Sequence, residues 1–97
     1  MYTIKETDEM ARQLTLALCD IIAQSDFDDA QYTVDVCRGL VDEDCGAALI
    51  MALDCMEMHD IDPSPAMELA HRHDVALGYK HAIIEQLEGI LERIGKA

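Results

Sequence analysis

Apolar residues recur at every third or fourth position along most of the chain, the spacing of amphipathic helices, and three polar breaks divide that pattern into four. The first helix is predicted over residues 3–25, with Ile4, Ala11, Leu14, Leu18, Ile21 and Ile22 on its inner stripe. Thr3 followed by Glu6 has the spacing of a capping box, and Glu6, Asp8 and Glu9 suit the positive end of the helix dipole. After the polar SDFDD break, with Ser25 or Asp26 as its cap, a second helix is predicted over 27–39. Phe27, Ala30, Val34 and Cys37 form its stripe, and Gly39 ends it.

The VDED junction places acids before a third helix, predicted over 43–59. Its inner stripe is Cys45, Ala48, Leu49, Ala52, Cys55, Met56 and His59, while Ala47, Ile50, Met51, Asp54, Glu57 and Met58 lie on its other sides. A helix apolar almost all round is either central or half covered by a partner. The DIDPS stretch stops it, Ser64 caps a fourth helix, and Pro65 sits where a missing N–H does no harm. That helix is predicted as one long element over 65–95, on a stripe of Leu69, Ala70, His73, Ala76, Leu77, Lys80, Ile84, Leu87, Leu91 and Ile94, with Gly78 as its weak point. The expected fold is all-α: a compact four-helix bundle of two long outer helices and two shorter acidic middle ones, residues 1–97 as a single domain.

Composition supports packed helices. Half the residues are apolar but only 4% are aromatic, and no alternating β-branched run appears, so Leu, Ile, Val, Ala and Met must fill the core. A core of this size is modest; a homo-oligomer would add stability but is not required. No apolar run approaches the roughly 20 residues of a membrane span, and the N-terminus lacks a basic region followed by an apolar one, so a cytoplasmic protein is expected. Cys19, Cys37, Cys45 and Cys55 are irregularly spaced and read as reduced, small hydrophobes.

Charge changes the picture more. The chain carries a formal −13, and the stretch from Ser25 to Asp62 holds eleven acids against one base, Arg38, while both ends are nearly neutral. Such a surface repels phosphate, so direct binding to nucleic acid or an anionic membrane is not expected, and the favoured partner is a basic protein surface. Asp28, Asp35, Asp42, Glu43, Asp44, Asp54 and Glu57, with Ile50, Met51 and Met58 as apolar anchors among them, are the candidate partner-binding residues.

Other chemistries need convergence. Glu6, Glu9, Glu57 and Asp60 have the E-x-x-E and E-x-x-D spacings with which helical nucleotide phosphohydrolases hold magnesium, so a metal-dependent hydrolase is one alternative. Cys55, His59 and His73 with Cys37 or Cys19 make a second, a zinc-stabilised helical domain. Met51, Met56 and Met58 beside Cys55 and His59 are soft donors that suit copper, although methionine at this spacing more often fills a core. Lys80 is a lone cation on an apolar stripe, placed to snorkel or to meet an acid. No nucleophile elbow or phosphate loop is present. The expectation is a non-enzymatic binding protein without cofactor or metal. In size and charge alone the chain resembles the small acidic inhibitors of phages and mobile elements, anti-CRISPR proteins and DNA mimics among them, which implies a partner that handles nucleic acid.

Overall fold

The structure, a computed structural model, describes residues 3–78 and 82–96, and every element in them is helical. Helix α1, Ile4–Ala23, opens on the capping box its sequence spells: the Thr3 hydroxyl accepts from the Glu6 N–H at 3.1 Å and the Glu6 carboxylate accepts from the Thr3 N–H at 3.4 Å. Leu14, Leu18 and Ile22 are fully buried. Ile4 is 81% exposed and leaves the predicted stripe, because a 20-residue helix outreaches the shorter helices packed on it.

Helix α2, Ala30–Leu40, starts three residues later than the pattern predicts. Ser25 does not cap it; its hydroxyl donates to the Ile21 carbonyl at 3.1 Å and finishes α1 instead. Asp29 takes the N-cap position without a side-chain bond, and Gly39 is carried inside the last turn rather than ending the helix. Helix α3, Cys45–Met58, is capped by Asp44, whose carboxylate accepts from the Ala47 N–H at 3.0 Å. Its C-terminus closes as a Schellman motif, Ile61 N–H to Met56 C=O at 3.0 Å, with Asp60 in the left-handed conformation usually reserved for glycine (φ 48°).

The predicted long fourth helix is two. A 3₁₀ turn, Ser64–Ala66, precedes α4, Met67–Leu77, and α5 runs over Ala82–Arg93. Gly78 sits at φ 70°, left-handed, and ends α4 where the sequence has its weak point. Asp74 settles the break: its Oδ2 accepts from the Ile84 N–H at 3.0 Å, a ten-residue separation that spans about 15 Å in a continuous helix. Lys80 lies outside the described residues. Ser64 does not cap α4 either; its hydroxyl donates to Asp62 at 2.6 Å.

Helix α1 is central rather than outer, packing on α2, α3 and α4, while α3 and α4 each meet α5. Leu14, Leu18, Ile22, Val34, Met56 and Leu87 join in one core, and Ile90, absent from the predicted stripe, is fully buried in it. The Cα trace measures 39 × 31 × 16 Å. A slab this thin cannot cover both sides of α3, and that geometry sets up the site.

The C-terminal end is tied down by charge. Lys96 and Ser64 both donate to Asp62, and those hydrogen bonds, the lysine's first, hold its carboxyl down to about 2. A depressed folded-state pKa means the contribution is complete above the usual carboxylate range and fades as pH falls towards 2. Thermal melts should show Asp62→Asn below wild type at neutral pH, with the gap closing as the pH approaches 2; a gap that persists there would contradict the ion pair's role.

Candidate functional site

Helix α3 reads CGAALIMALDCMEM, and only one side of it reaches the core. Ala48, Leu49, Ala52, Leu53, Cys55 and Met56 are buried, which leaves Ile50 61%, Met51 37% and Met58 77% exposed. Beside them on α2 stands Tyr32, 64% exposed. Between the two helices runs an open groove of about 600 Å³, walled by Tyr32 and Val36 on one side and Ile50, Met51, Asp54 and Met58 on the other. One end is closed by Phe27, whose ring stacks on His59 at 3.9 Å and 14°. Asp29 and Asp54 place carboxylates in the lining itself.

Ion pairs engage five of the described cations away from the groove lining. Arg12 meets Asp42 at 2.9 Å, Arg38 meets Asp20 at 2.9 Å, Arg93 meets Asp60 at 2.8 Å, Arg72 meets Glu68, and Lys96 meets Asp62. Those cations neutralise acids elsewhere on the molecule. Among the described residues no cation lies within ion-pair distance of Asp28, Asp29, Asp35, Asp54 or Glu57. The groove therefore keeps its negative field, and screening by salt is the main thing that weakens it.

The predicted binding residues divide among several places. Ile50, Met51, Asp54 and Met58 line the groove together. Asp35 is exposed at a helical direction neighbouring Tyr32, and Asp28 is exposed in the turn just before α2; neither lines the groove. Glu57 points to the other flank of α3, where it accepts from the Gln86 amide at 2.7 Å. Glu43 and Asp44 belong to a second cleft of about 640 Å³ among α1, α3 and α5, with Ile50 as the ridge between the two cavities. Asp42 is taken by Arg12, whose guanidinium its hydrogen bond pushes further up. Tyr32 and Asp29 were missed in the sequence. Their signal is the 29, 32 or 33, 36 spacing around an aromatic on an otherwise acidic face, the composition of an interface anchor.

The rival ligand sets do not assemble. Glu6 belongs to the capping box, Glu9 accepts from Gln13, Glu57 from Gln86, and Asp60 from Arg93. Of the zinc candidates, Cys55 faces the core, while His59 is exposed against Phe27 rather than on the inner stripe. His73 is buried and lines the second cleft. Met56 is buried, apart from Met51 and Met58 in the groove. Among the described residues no three His, Cys, Asp or Glu are placed to hold a metal ion.

Burial, and secondarily its neighbour Cys37, pushes the Cys19 thiol up to about 12, and burial likewise raises Cys37 and Cys55. The thiolate is the reactive form, so these cysteines are inert while folded. A disulfide reagent at mildly alkaline pH should leave Cys19 unmodified in the native protein and titrate all four thiols after denaturation. Prompt native reaction at Cys19 would contradict the closed core.

Fold and site together define an all-α protein with an acidic, apolar groove on one face. No known protein family, characterised protein or solved structure matches the chain. Among the described residues no helix is long and apolar enough to cross a membrane.

Proposed function

We propose that this is a non-enzymatic binding protein of the cytoplasm whose α2–α3 face docks on a basic surface of a nucleic-acid-handling partner and blocks it. One observation carries the reading: exposed Tyr32, Ile50, Met51 and Met58 lie among Asp28, Asp29, Asp35 and Asp54, acids that no described cation neutralises. Exposed apolar anchors supply binding energy, and the unneutralised field supplies steering and partner choice. A surface that nucleic acid also recognises is basic, so an acidic occupant competes with nucleic acid for it. The protein acts by occupancy, as small phage and mobile-element inhibitors do, and needs no cofactor.

Affinity capture from the producing cells at low and high salt, with added nucleic acid as competitor, tests this. The expected result is a basic nucleic-acid-binding complex held at low salt, released by high salt and displaced by DNA or RNA. Capture that ignores both salt and nucleic acid would overturn it.

A further inference from the structure

We infer that the α2–α3 groove receives an amphipathic helix of the partner, about three turns long, apolar on the inserted face and lysine- or arginine-rich on its flanks. The inference rests on the acidic groove being the docking surface and specifies what enters it. The α3 wall repeats once per turn: Ala47, then Ile50 with Met51, then Asp54, then Met58. From Ala47 to Met58 that wall runs about 16 Å, and its ridges recur at the helical pitch of about 5.4 Å. A partner meshes with such ridges along their whole length only if its own side chains recur at the same pitch, as those of another helix do. Tyr32 and Val36 on α2 form the opposite wall, so the incoming helix would complete a three-helix contact.

Other occupants fit less well. A second copy of this chain would bring Asp29 and Asp54 against like charges, since a two-fold contact sets a patch against itself and no described cation sits in the lining to relieve it. An extended peptide gains most by adding to a sheet edge, and no strand exists among the described residues. Basic side chains on the flanks of a helix reach Asp29 and Asp54 while its apolar stripe meets Met51 and Met58. Methionines on the wall let one groove adapt to stripes of different shape.

A synthetic peptide of about 15 residues, long enough for marginal helicity alone, tests the inference when its apolar stripe is set at i, i+4, i+7 and i+11 and its other positions are Lys, Arg and Ala. It is titrated against the full chain beside an isomer with the stripe scrambled, while helicity is followed by circular dichroism and the methionine methyl signals by NMR. The expected result is binding of the patterned peptide with gain of helix, shifts at Met51 and Met58, and at least a fivefold weaker scrambled isomer. Met58→Glu is the decisive variant, because it adds negative charge and removes an apolar anchor at a position that is 77% exposed. Helix insertion expects weaker binding by this variant; attraction by charge alone expects tighter binding. Equal binding of both peptides, tightened by Met58→Glu, would overturn the helix and leave the acidic docking surface standing. If neither basic peptide binds even at low salt, the docking surface fails as well.

Discussion

Asp74→Ala should destabilise the protein by about 2–3 kcal/mol, a drop of roughly 10–20 °C in melting temperature for a domain of this size. Asp74 is fully buried in the last turn of α4, a place where the helix dipole disfavours an acid. It is held there by what it does for the next helix. Its Oδ2 accepts the Ile84 N–H in the first turn of α5, one of the donors a helix start leaves unpaired, and the positive end of α5 faces the carboxylate. Alanine would orphan that buried N–H and leave a small void. Asparagine should behave differently. It keeps an oxygen for Ile84, and its amide gives His73 Nδ1 a donor; that nitrogen stands 3.5 Å from Asp74 Oδ1, and neither atom has a hydrogen-bond partner among the described residues. Asp74→Asn should therefore lie within about 1 kcal/mol of wild type, since a buried carboxylate is itself costly. Urea denaturation of the two variants checks this; an alanine variant as stable as wild type would show that α5 docks without its cap.

Reversing Asp28, Asp35 and Asp54 to Lys should slow association with a basic partner about tenfold or more at low ionic strength. All three are exposed, and none is ion-paired among the described residues. Lysine is also the better helix former at positions 35 and 54, so helicity should survive and a lost interaction cannot be blamed on unfolding. Wild type and variant should converge near 1 M salt, where the screening length falls to about 3 Å. Stopped-flow association across a salt series measures the effect. Reversing Asp42 is the control: it already faces Arg12, so its change should disturb stability more than steering.

What the sequence carries is mostly local. The capping box at Thr3 and Glu6 and the stop at DIDPS depend on neighbours within a few residues, and both stand in the structure. The outer sides of α3 were legible because a period of 3.6 places Ile50, Met51, Asp54 and Met58 apart from the buried stripe. Long-range partners were not legible. Arg12 with Asp42 and Glu57 with Gln86 join positions about thirty residues apart, so no spacing rule separates the neutralised acids from the free ones. The apolar stripe runs through Gly78 in helical register, which concealed the break between α4 and α5. The acid at Asp74, one turn before that glycine, was the available signal, since a buried carboxylate there needs a partner beyond its own helix. Ile4 and His59 were misplaced for a simpler reason: periodicity says which side of a helix a residue lies on, not how far the neighbouring helices extend.

Site-specific photocrosslinking tests the central claim most directly. A photoreactive residue replaces Met58 in the groove or, as a control, Val75, which is 64% exposed on α4 and so comparably accessible on another helix. The account expects position 58 to crosslink a basic nucleic-acid-binding protein at low salt, with the product lost at high salt, and position 75 to give no such product. A crosslink from position 75 and none from 58 would place the partner on another face and contradict the assignment of the α2–α3 groove.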